Sequence, residues 1–179
     1  GLPCMTDALL MVYRDPQEAI TANAGVSFEM ILENGIPFTI PGARPIGLNG
    51  TLFVQYLSAG GALVSQDGTP AIDEDALLTV LSFYESARAV GQIGVNILDY
   101  TSSAAYLDDF EAGAIESAVL RSDEYINLRA NTGIDFIGGS IPTASGDPGT
   151  VMNGWMWVMI ASTTQQQAVA ARFIDWMMQ

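Results

Sequence analysis

Residues 56–91, YLSAGGALVSQDGTPAIDEDALLTVLSFYESARAVG, alternate helical and extended patterns within one short stretch. A first helix ends at the Gly60-Gly61 pair, a brief apolar run follows, and Asp67-Gly68 marks a turn. The acidic run 73–75 then places negative charge on the exposed amides of a first helical turn, and apolar residues recur at a spacing of three to four up to Gly91. The stretch predicts a helix, a short strand and a helix in succession.

The same alternation extends in both directions along the chain. The segment 35–50 holds three prolines and four glycines, so it is expected to be a loop on the surface. Helical patterns are Gln17–Asn34 as two short helices, Thr51–Ser58 and Ser102–Ala112, and Asp123–Ala130 is a polar helix or turn. A last helix has a capping box at Thr164 and Gln167 and an apolar stripe from Val169 to Met177. Apolar runs are Leu9–Tyr13, Ala118–Leu120, Ile134–Ile137 and Trp155–Ala161, the last expected to be a strand covered on both faces. This order predicts an α/β fold.

The composition excludes several classes of function. The 179 residues carry six basic and twenty acidic side chains and no histidine, for a net charge of −14, which disfavours nucleic acids and anionic membrane faces as partners. Without histidine, histidine-dependent triads and zinc sites are excluded, and the single Cys4 can form no internal disulfide. No apolar run reaches the roughly 20 residues that span a bilayer. We therefore expect one globular domain with no metal, no cofactor and no transmembrane segment.

A catalytic site is the first alternative to weigh. Asp108, Asp109 and Glu111 could act as a glycosidase pair, because two carboxyl groups at a set separation serve as acid and as base or nucleophile. Adjacent residues on a helix point about 100° apart, however, and the neighbouring apolar positions indicate that these acids lie on a solvated face. We expect no catalytic residues, although an enzyme is not excluded by this argument.

Aromatic side chains give the stronger functional signal. Trp155 follows Asn153-Gly154 at the start of a predicted strand, where a flat apolar ring can face a cleft. A sugar ring presents apolar C–H faces and polar hydroxyl groups, so a sugar site needs an aromatic platform with Asp, Asn, Gln or Arg beside it. Trp157, in the middle of the same run, is expected to pack in the core. Trp155 is thus the leading candidate for ligand binding.

In this order the motifs resemble the family 1 extracellular solute-binding proteins of ABC importers, the maltose-binding-protein-like group. The resemblance covers nearly the whole chain. Arg14 stands where the family usually has Asn, and Asn153 replaces the first Gly of a Gly-Gly-Trp strand start. The matching segments are Leu2-Pro3 through Asp7, Tyr13-Arg14, Tyr56–Gly61, Asp67–Pro70, Asp73–Val90, Tyr106–Gly113, Ala118–Leu120, Asn153–Trp155, Ile160–Ser162 and Ala171–Met177.

The resemblance implies a fold and a way of working. It implies a three-layer periplasmic-binding-protein-like lobe of type II, with a mixed sheet flanked by helices. Since family members are about twice this long, residues 1–179 would form a single ligand-binding lobe, with the N-terminal lobe absent. The implied partners are a sugar or oligosaccharide bound between two lobes and the permease subunits of the importer. The implied location is extracytoplasmic, in the periplasm or as a cell-surface lipoprotein of a bacterium.

The resemblance also assigns ligand-binding roles by position. Trp155 would be the stacking platform and Tyr56 a second aromatic in the cleft. Asp123 and Tyr125 would lie on the loop that reaches toward the ligand after the short strand, and Asp7 would accept a hydrogen bond from a sugar hydroxyl group. A carbohydrate-active enzyme's accessory domain, or a sensor domain with the same fold, remains the alternative.

Overall fold

The computed structural model of the protein describes residues 2–14, 25–43 and 49–177, with only the backbone of residues 2–5. The first of the two helices expected in 17–34 and residues 44–48 of the expected loop at 35–50 lie outside the described residues. The helices are α1 Phe28–Asn34, α2 Gly50–Ser58, α3 Glu74–Ala89, α4 Leu107–Ala112, α5 Ser122–Thr132 and α6 Thr164–Met177, and the strands are β1 Leu2–Tyr13, β2 Ser117–Arg121, β3 Ile137–Gly139 and β4 Met152–Trp157.

The chain forms two compact units. The main unit is Leu9–Val151, and the ribbon unit is Gly1–Ala8 together with Met152–Gln179. The long strand β1 contributes its first part to the ribbon unit and its last part to the main unit. The two units are described separately below, and the single ligand-binding lobe stays a prediction.

In the main unit, β1 is the central strand of the order β2-β1-β3. Both neighbours run antiparallel to it, with Met11 opposite Val119 on one side and Gly139 on the other. A single parallel bridge joins Thr39 to Ala118 at the outer edge of β2. The α/β class is confirmed. Strands and helices do not alternate throughout, because α1 to α4 follow one another between β1 and β2. The short strand expected before the Asp67-Gly68 turn is an isolated bridge between Val64 and Pro70.

Helices cover both faces of this sheet. Successive residues of β1 point to opposite sides, so alternate residues enter the core on one face or on the other. Met11 and Tyr13 belong to one apolar core, which includes side chains from α1, α2 and α3. Val12 belongs to a second core with Phe110 of α4 and Leu128 of α5. The main unit therefore has three layers, with the sheet in the middle.

Local sequence explains where the long helix α3 begins. The side chain of Asp73 accepts a hydrogen bond from the backbone N–H of Ala76 at 2.9 Å, and Glu74 and Asp75 occupy the first turn. Arg88 lies in the last turn, where a cation is favourable. This helix has the position that the sequence predicted.

The helix predicted at Ser102–Ala112 is divided in two. A 3-10 turn over Ser103–Ala105 precedes α4, and Tyr106 between them has φ −129° and ψ 5°, which lies outside the helical region. The ring of Tyr106 is buried, and its hydroxyl group donates a hydrogen bond to the carbonyl oxygen of Val119. Anchoring this side chain under the sheet interrupts the helix, which a periodic pattern alone does not reveal.

The ribbon unit pairs the first part of β1 with β4 as an antiparallel two-stranded ribbon, followed by α6. The prediction of a strand at Trp155–Ala161 covered on both faces is wrong, because β4 ends at Trp157 and most of its residues are exposed. The cap of α6 also differs from the prediction. Thr163 rather than Thr164 accepts the hydrogen bond from the backbone of Gln166.

Candidate ligand-binding site

The ribbon unit brings together a carboxylate, an amide and an indole. Asp7 on β1 lies directly opposite Asn153 on β4, and Trp155 is two residues farther along β4. Directly opposed residues and residues two apart share one face of a ribbon, so all three side chains are on the same side. Asp7 and Trp155 are diagonal neighbours, for which Cα separations are roughly 7 to 8 Å.

Trp155 presents most of its surface to solvent. Its side chain is 75% exposed, whereas Trp157 is half-buried and meets the ring of Phe173 on α6 edge-on at 6.3 Å. Phe173 in turn lies 6.1 Å from Trp176. Trp157 thus packs against α6 at the end of β4, although it is half-buried and not in a core as the sequence predicted, while Trp155 offers an apolar ring beside polar groups.

Tyr56 has a different environment in the main unit. It is 7% exposed, and its hydroxyl group donates to the carbonyl oxygen of Ala62 at 2.6 Å and accepts from the N–H of Asp73 at 2.8 Å. Gly61 lies so close that a Cβ atom there would come within 2.4 Å of the ring. These contacts join α2 to the start of α3. A stacking role for Tyr56 stays a prediction, and it would require this ring to be uncovered.

Asp123 and Tyr125 lie at the start of α5, directly after β2. Asp123 accepts a hydrogen bond from the Arg121 side chain at 2.8 Å, and both side chains are about half exposed. Tyr125 donates to the carbonyl oxygen of Phe136 at 3.2 Å, and the guanidinium of Arg129 lies 5.8 Å from the centre of its ring. Asp123 is accessible at this position, whereas Tyr125 mainly connects α5 to the chain before β3.

Glu124, between these two residues, is a polar anchor that the sequence analysis missed. It is 9% exposed and accepts hydrogen bonds from the hydroxyl group of Ser103 and from the backbone N–H of Arg121, both at 2.8 Å. A Glu three residues after the end of a strand, in the first turn of a helix, is the signal that could have identified it. It fixes the start of α5 and with it the place of Asp123.

The acidic side chains considered for a catalytic pair lie on exposed surface. Asp108, Asp109 and Glu111 are exposed, as the solvated-face interpretation predicted. Across residues 2–14, 25–43 and 49–177, no three His, Cys, Asp or Glu side chains gather as metal ligands. None of the helices described is long and apolar enough to cross a membrane.

Solved structures resemble this chain over its whole length. Maltose-bound MalE3 of T. maritima matches with a TM-score of 0.70 and 18% identity, covering 98% of this chain and 49% of that protein. A solute-binding protein of Thermotoga lettingae bound with α-D-tagatose matches with a TM-score of 0.69 and 20% identity, covering 99% and 49%. The fold is that of the ABC transporter solute-binding proteins. The resemblance seen in the sequence motifs is confirmed at this level.

A third match carries the family description itself. A family 1 extracellular solute-binding protein of Bifidobacterium longum subsp. infantis has a TM-score of 0.61 and 16% identity, covering 100% of this chain and 51% of that one. No protein-family model matches the chain, and no curated protein matches it by sequence. The chain spans about half the length of the solute-binding proteins that it matches.

Proposed function

We propose that this chain is part of an extracytoplasmic receptor of a bacterial ABC importer, that it binds a sugar or oligosaccharide, and that it is not an enzyme. The observation that carries the proposal is the exposed ring of Trp155 on one face with Asp7 and Asn153. The solute-binding fold supports it, and so do the sugars named with two of the matching structures.

The proposed chemistry follows from the three side chains. The indole of Trp155 stacks on the apolar C–H face of a sugar ring. The carboxylate of Asp7 accepts hydrogen bonds from hydroxyl groups, and the amide of Asn153 both donates and accepts them. The same face would suit a neutral or cationic ligand better than an acidic one, because the chain carries a net charge of −14.

Asp123 is the candidate contact in the main unit. Its carboxylate is accessible and is held at the start of α5 by the anchored Glu124. Arg121 pairs with it across exposed surface, where an ion pair is worth less than about 1 kcal/mol and can be exchanged for a ligand. Tyr125 would contribute through its edge, since its hydroxyl group is already hydrogen-bonded to Phe136.

We further propose that the chain is one lobe of a two-lobed receptor whose N-terminal lobe is a separate portion of a longer protein. Ligand would bind one lobe first, hinge closure would complete the site, and the closed form would dock on the permease. One lobe supplies only part of the contacts, so the chain alone should bind weakly, with a dissociation constant on the order of millimolar.

A fluorescence titration tests the sugar proposal, because all three tryptophans of the chain, Trp155, Trp157 and Trp176, lie in the ribbon unit. We expect a saturable change in tryptophan emission with at least one member of a panel of mono- and oligosaccharides. Trp155→Ala should abolish it. Trp176→Ala is the matched control, because Trp176 is similarly exposed but lies on α6, and it should leave the titration midpoint unchanged.

Two outcomes would contradict the proposal. One is the absence of any change in tryptophan emission across the panel at tens of millimolar sugar, both with this chain and with a longer two-lobed protein that contains it. The other is a response that survives Trp155→Ala. Release of a modified sugar, lost when Asp108 and Asp109 are changed to Asn, would instead support the enzyme alternative.

A further inference from the structure

The ribbon unit nearly lacks charged side chains. Asp7, Arg172 and Asp175 are the only ones in its sequence, so the main unit carries almost the whole net charge of −14. All three tryptophans and six of the eight methionines of the chain belong to the ribbon unit. Depletion of charge together with enrichment in Trp, Phe and Met is typical of the centre of a protein interface.

The run 155–161 has the composition of a covered strand but is not covered. An almost wholly apolar run is expected where both faces of a strand are buried. Met156, Val158 and Ile160 are nevertheless 62%, 61% and 92% exposed. A groove of about 360 Å³ lies between this run and Phe173 of α6. The residues that the structure describes therefore leave this run without the covering surface that its composition favours.

The helix α6 presents one apolar stripe to solvent. Val169, Phe173, Trp176 and Met177 point within about 60° of the direction of Phe173, at 100° per residue. All four side chains are exposed. A contiguous apolar stripe of this kind marks an interaction surface, whereas single scattered apolar residues do not. Together with Met156, Val158 and Ile160, this stripe is called the ribbon interface below.

The ribbon unit is too small to be stable by itself. It has fewer than the roughly 40 residues below which domains usually need disulfides, metals or a partner. Its single cysteine, Cys4, can form no internal disulfide. Among its described residues, Ile174 is the one buried apolar side chain. The unit therefore requires a partner surface.

The lengths of the matching proteins indicate which partner is available. MalE3 and the tagatose-bound protein match 98% and 99% of this chain, so the matches include the ribbon unit, yet this chain accounts for 49% of each of them. A protein of that length has about as much chain again with which to cover the ribbon interface. A second copy or an anionic membrane face is disfavoured, because the chain carries a net charge of −14.

We propose that the ribbon interface packs against the portion of a longer two-lobed receptor that lies outside residues 1–179, and that the main unit alone is the lobe complete in this chain. The inference rests on the proposed two-lobed receptor and names the surface that its other portion covers. That portion presents an apolar surface with few charges, to match the ribbon interface. Trp155 points to the opposite side of β4 from Met156, so its face stays open to a ligand.

Hydrogen exchange followed by mass spectrometry tests the proposal without any sugar. In the chain alone, the amides of α6 should exchange at least about a hundredfold faster than those of α3, because α6 has little buried apolar surface. In the longer protein, the protection of α6 should rise at least about a hundredfold, whereas that of α3 should change less than about threefold.

A charge placed on the stripe gives the matched variants. Phe173→Asp should abolish the added protection of α6 in the longer protein, because it places an unpaired carboxylate in the proposed interface. Ala168→Asp adds the same charge at an exposed position about 140° away on α6, and it should keep the added protection. Unchanged protection of α3 in both variants shows that the main unit is folded. Phe173→Ser, a milder change, should lose part of the added protection.

Three results would overturn the proposal. The first is an α6 as well protected as α3 in the chain alone, including protection that rises with concentration and so indicates a second copy. The second is an α6 that gains no protection in the longer protein. The third is an equal effect of Phe173→Asp and Ala168→Asp. Sugar binding through Trp155 without added protection of α6 contradicts this inference alone, whereas a protected α6 in a longer protein that binds no sugar contradicts only the sugar proposal.

Discussion

The ribbon unit is the more apolar of the two units in sequence, yet the main unit buries its large apolar side chains and the ribbon unit exposes most of them. In the main unit, Phe83 is 4% exposed and stacks on Phe28 with ring centres 4.0 Å apart. In the ribbon unit, Phe173 is 51% exposed, and Ile174 is the buried apolar residue among those described there. A two-stranded ribbon with one helix has too little material to enclose a core.

The main unit is the part of the chain with its own apolar cores, and the ribbon unit is the part that offers exposed apolar surface. The main unit has two apolar cores, one on each face of its sheet, and can be stabilised by its own side chains. The ribbon unit exposes large apolar side chains, which is typical of a surface that meets a ligand or another part of a protein. Substitutions in the first should therefore change stability, and substitutions in the second should change binding.

The largest expected effect comes from a substitution in the core of the main unit. Phe83→Ala should lower the free energy of unfolding by about 3–5 kcal/mol, because it leaves a cavity between Phe28 and Phe38. Phe173→Ala, the matched change in the ribbon unit, should cost less than about 1 kcal/mol, since much of that ring is already in water. Urea unfolding followed by far-ultraviolet circular dichroism measures both. Equal losses would remove the distinction between the units.

A smaller effect sharpens the distinction at Tyr56. Tyr56→Phe removes the hydrogen bonds to Ala62 and Asp73 and should lower the free energy of unfolding by about 1–3 kcal/mol, while the buried ring is kept. The same variant should leave the sugar titration midpoint unchanged if Tyr56 acts in packing alone. A shifted midpoint with normal stability would instead favour the stacking role predicted from the sequence.

The smallest effect concerns an exposed turn of the main unit. Hydrogen bonds from Ser65 and Thr69 lower the pKa of Asp67 from 3.8 to about 2. Because the folded pKa lies below the unfolded one, the carboxylate stabilises the turn fully above about pH 4, and this contribution is lost as the pH falls toward 2. A carboxyl-detected NMR titration should give Asp67 a midpoint well below the usual range of an aspartate. An ordinary midpoint for Asp67 would contradict the turn geometry.

The features that the sequence predicted are local ones. Asp73 at the start of α3 and Asp67-Gly68 in the turn before it depend on neighbours within four residues, so the local pattern suffices to place them. The position of Trp155 after Asn153-Gly154 predicts a ring that can face a cleft, and the ring is exposed, whereas its strand was expected to be buried. Hydrophobicity shows that a side chain favours burial, and it does not show whether the covering surface belongs to the same chain.

The features that the sequence did not predict depend on distant partners. The guanidinium of Arg14 donates to the carbonyl oxygens of Phe110 and Glu111 at 2.6 and 2.9 Å, across almost a hundred positions of the chain. Glu124 is anchored by Ser103 in the same way. The pairing of Asp7 with Asn153 likewise requires the two ends of the chain to meet. The distant partner in each of these contacts leaves no pattern within one window of sequence, although the position of Glu124 in a first helical turn does.

The most direct test of the proposed site is an NMR titration of the three indole N–H signals of the chain. Adding a sugar that changes the fluorescence should shift the signal of Trp155 saturably. The signals of Trp157, which packs against Phe173, and of the control Trp176 on α6 should move much less. A titration in which Trp155 stays fixed while Trp176 moves, or in which no indole signal moves, would contradict the proposed role of the ribbon face.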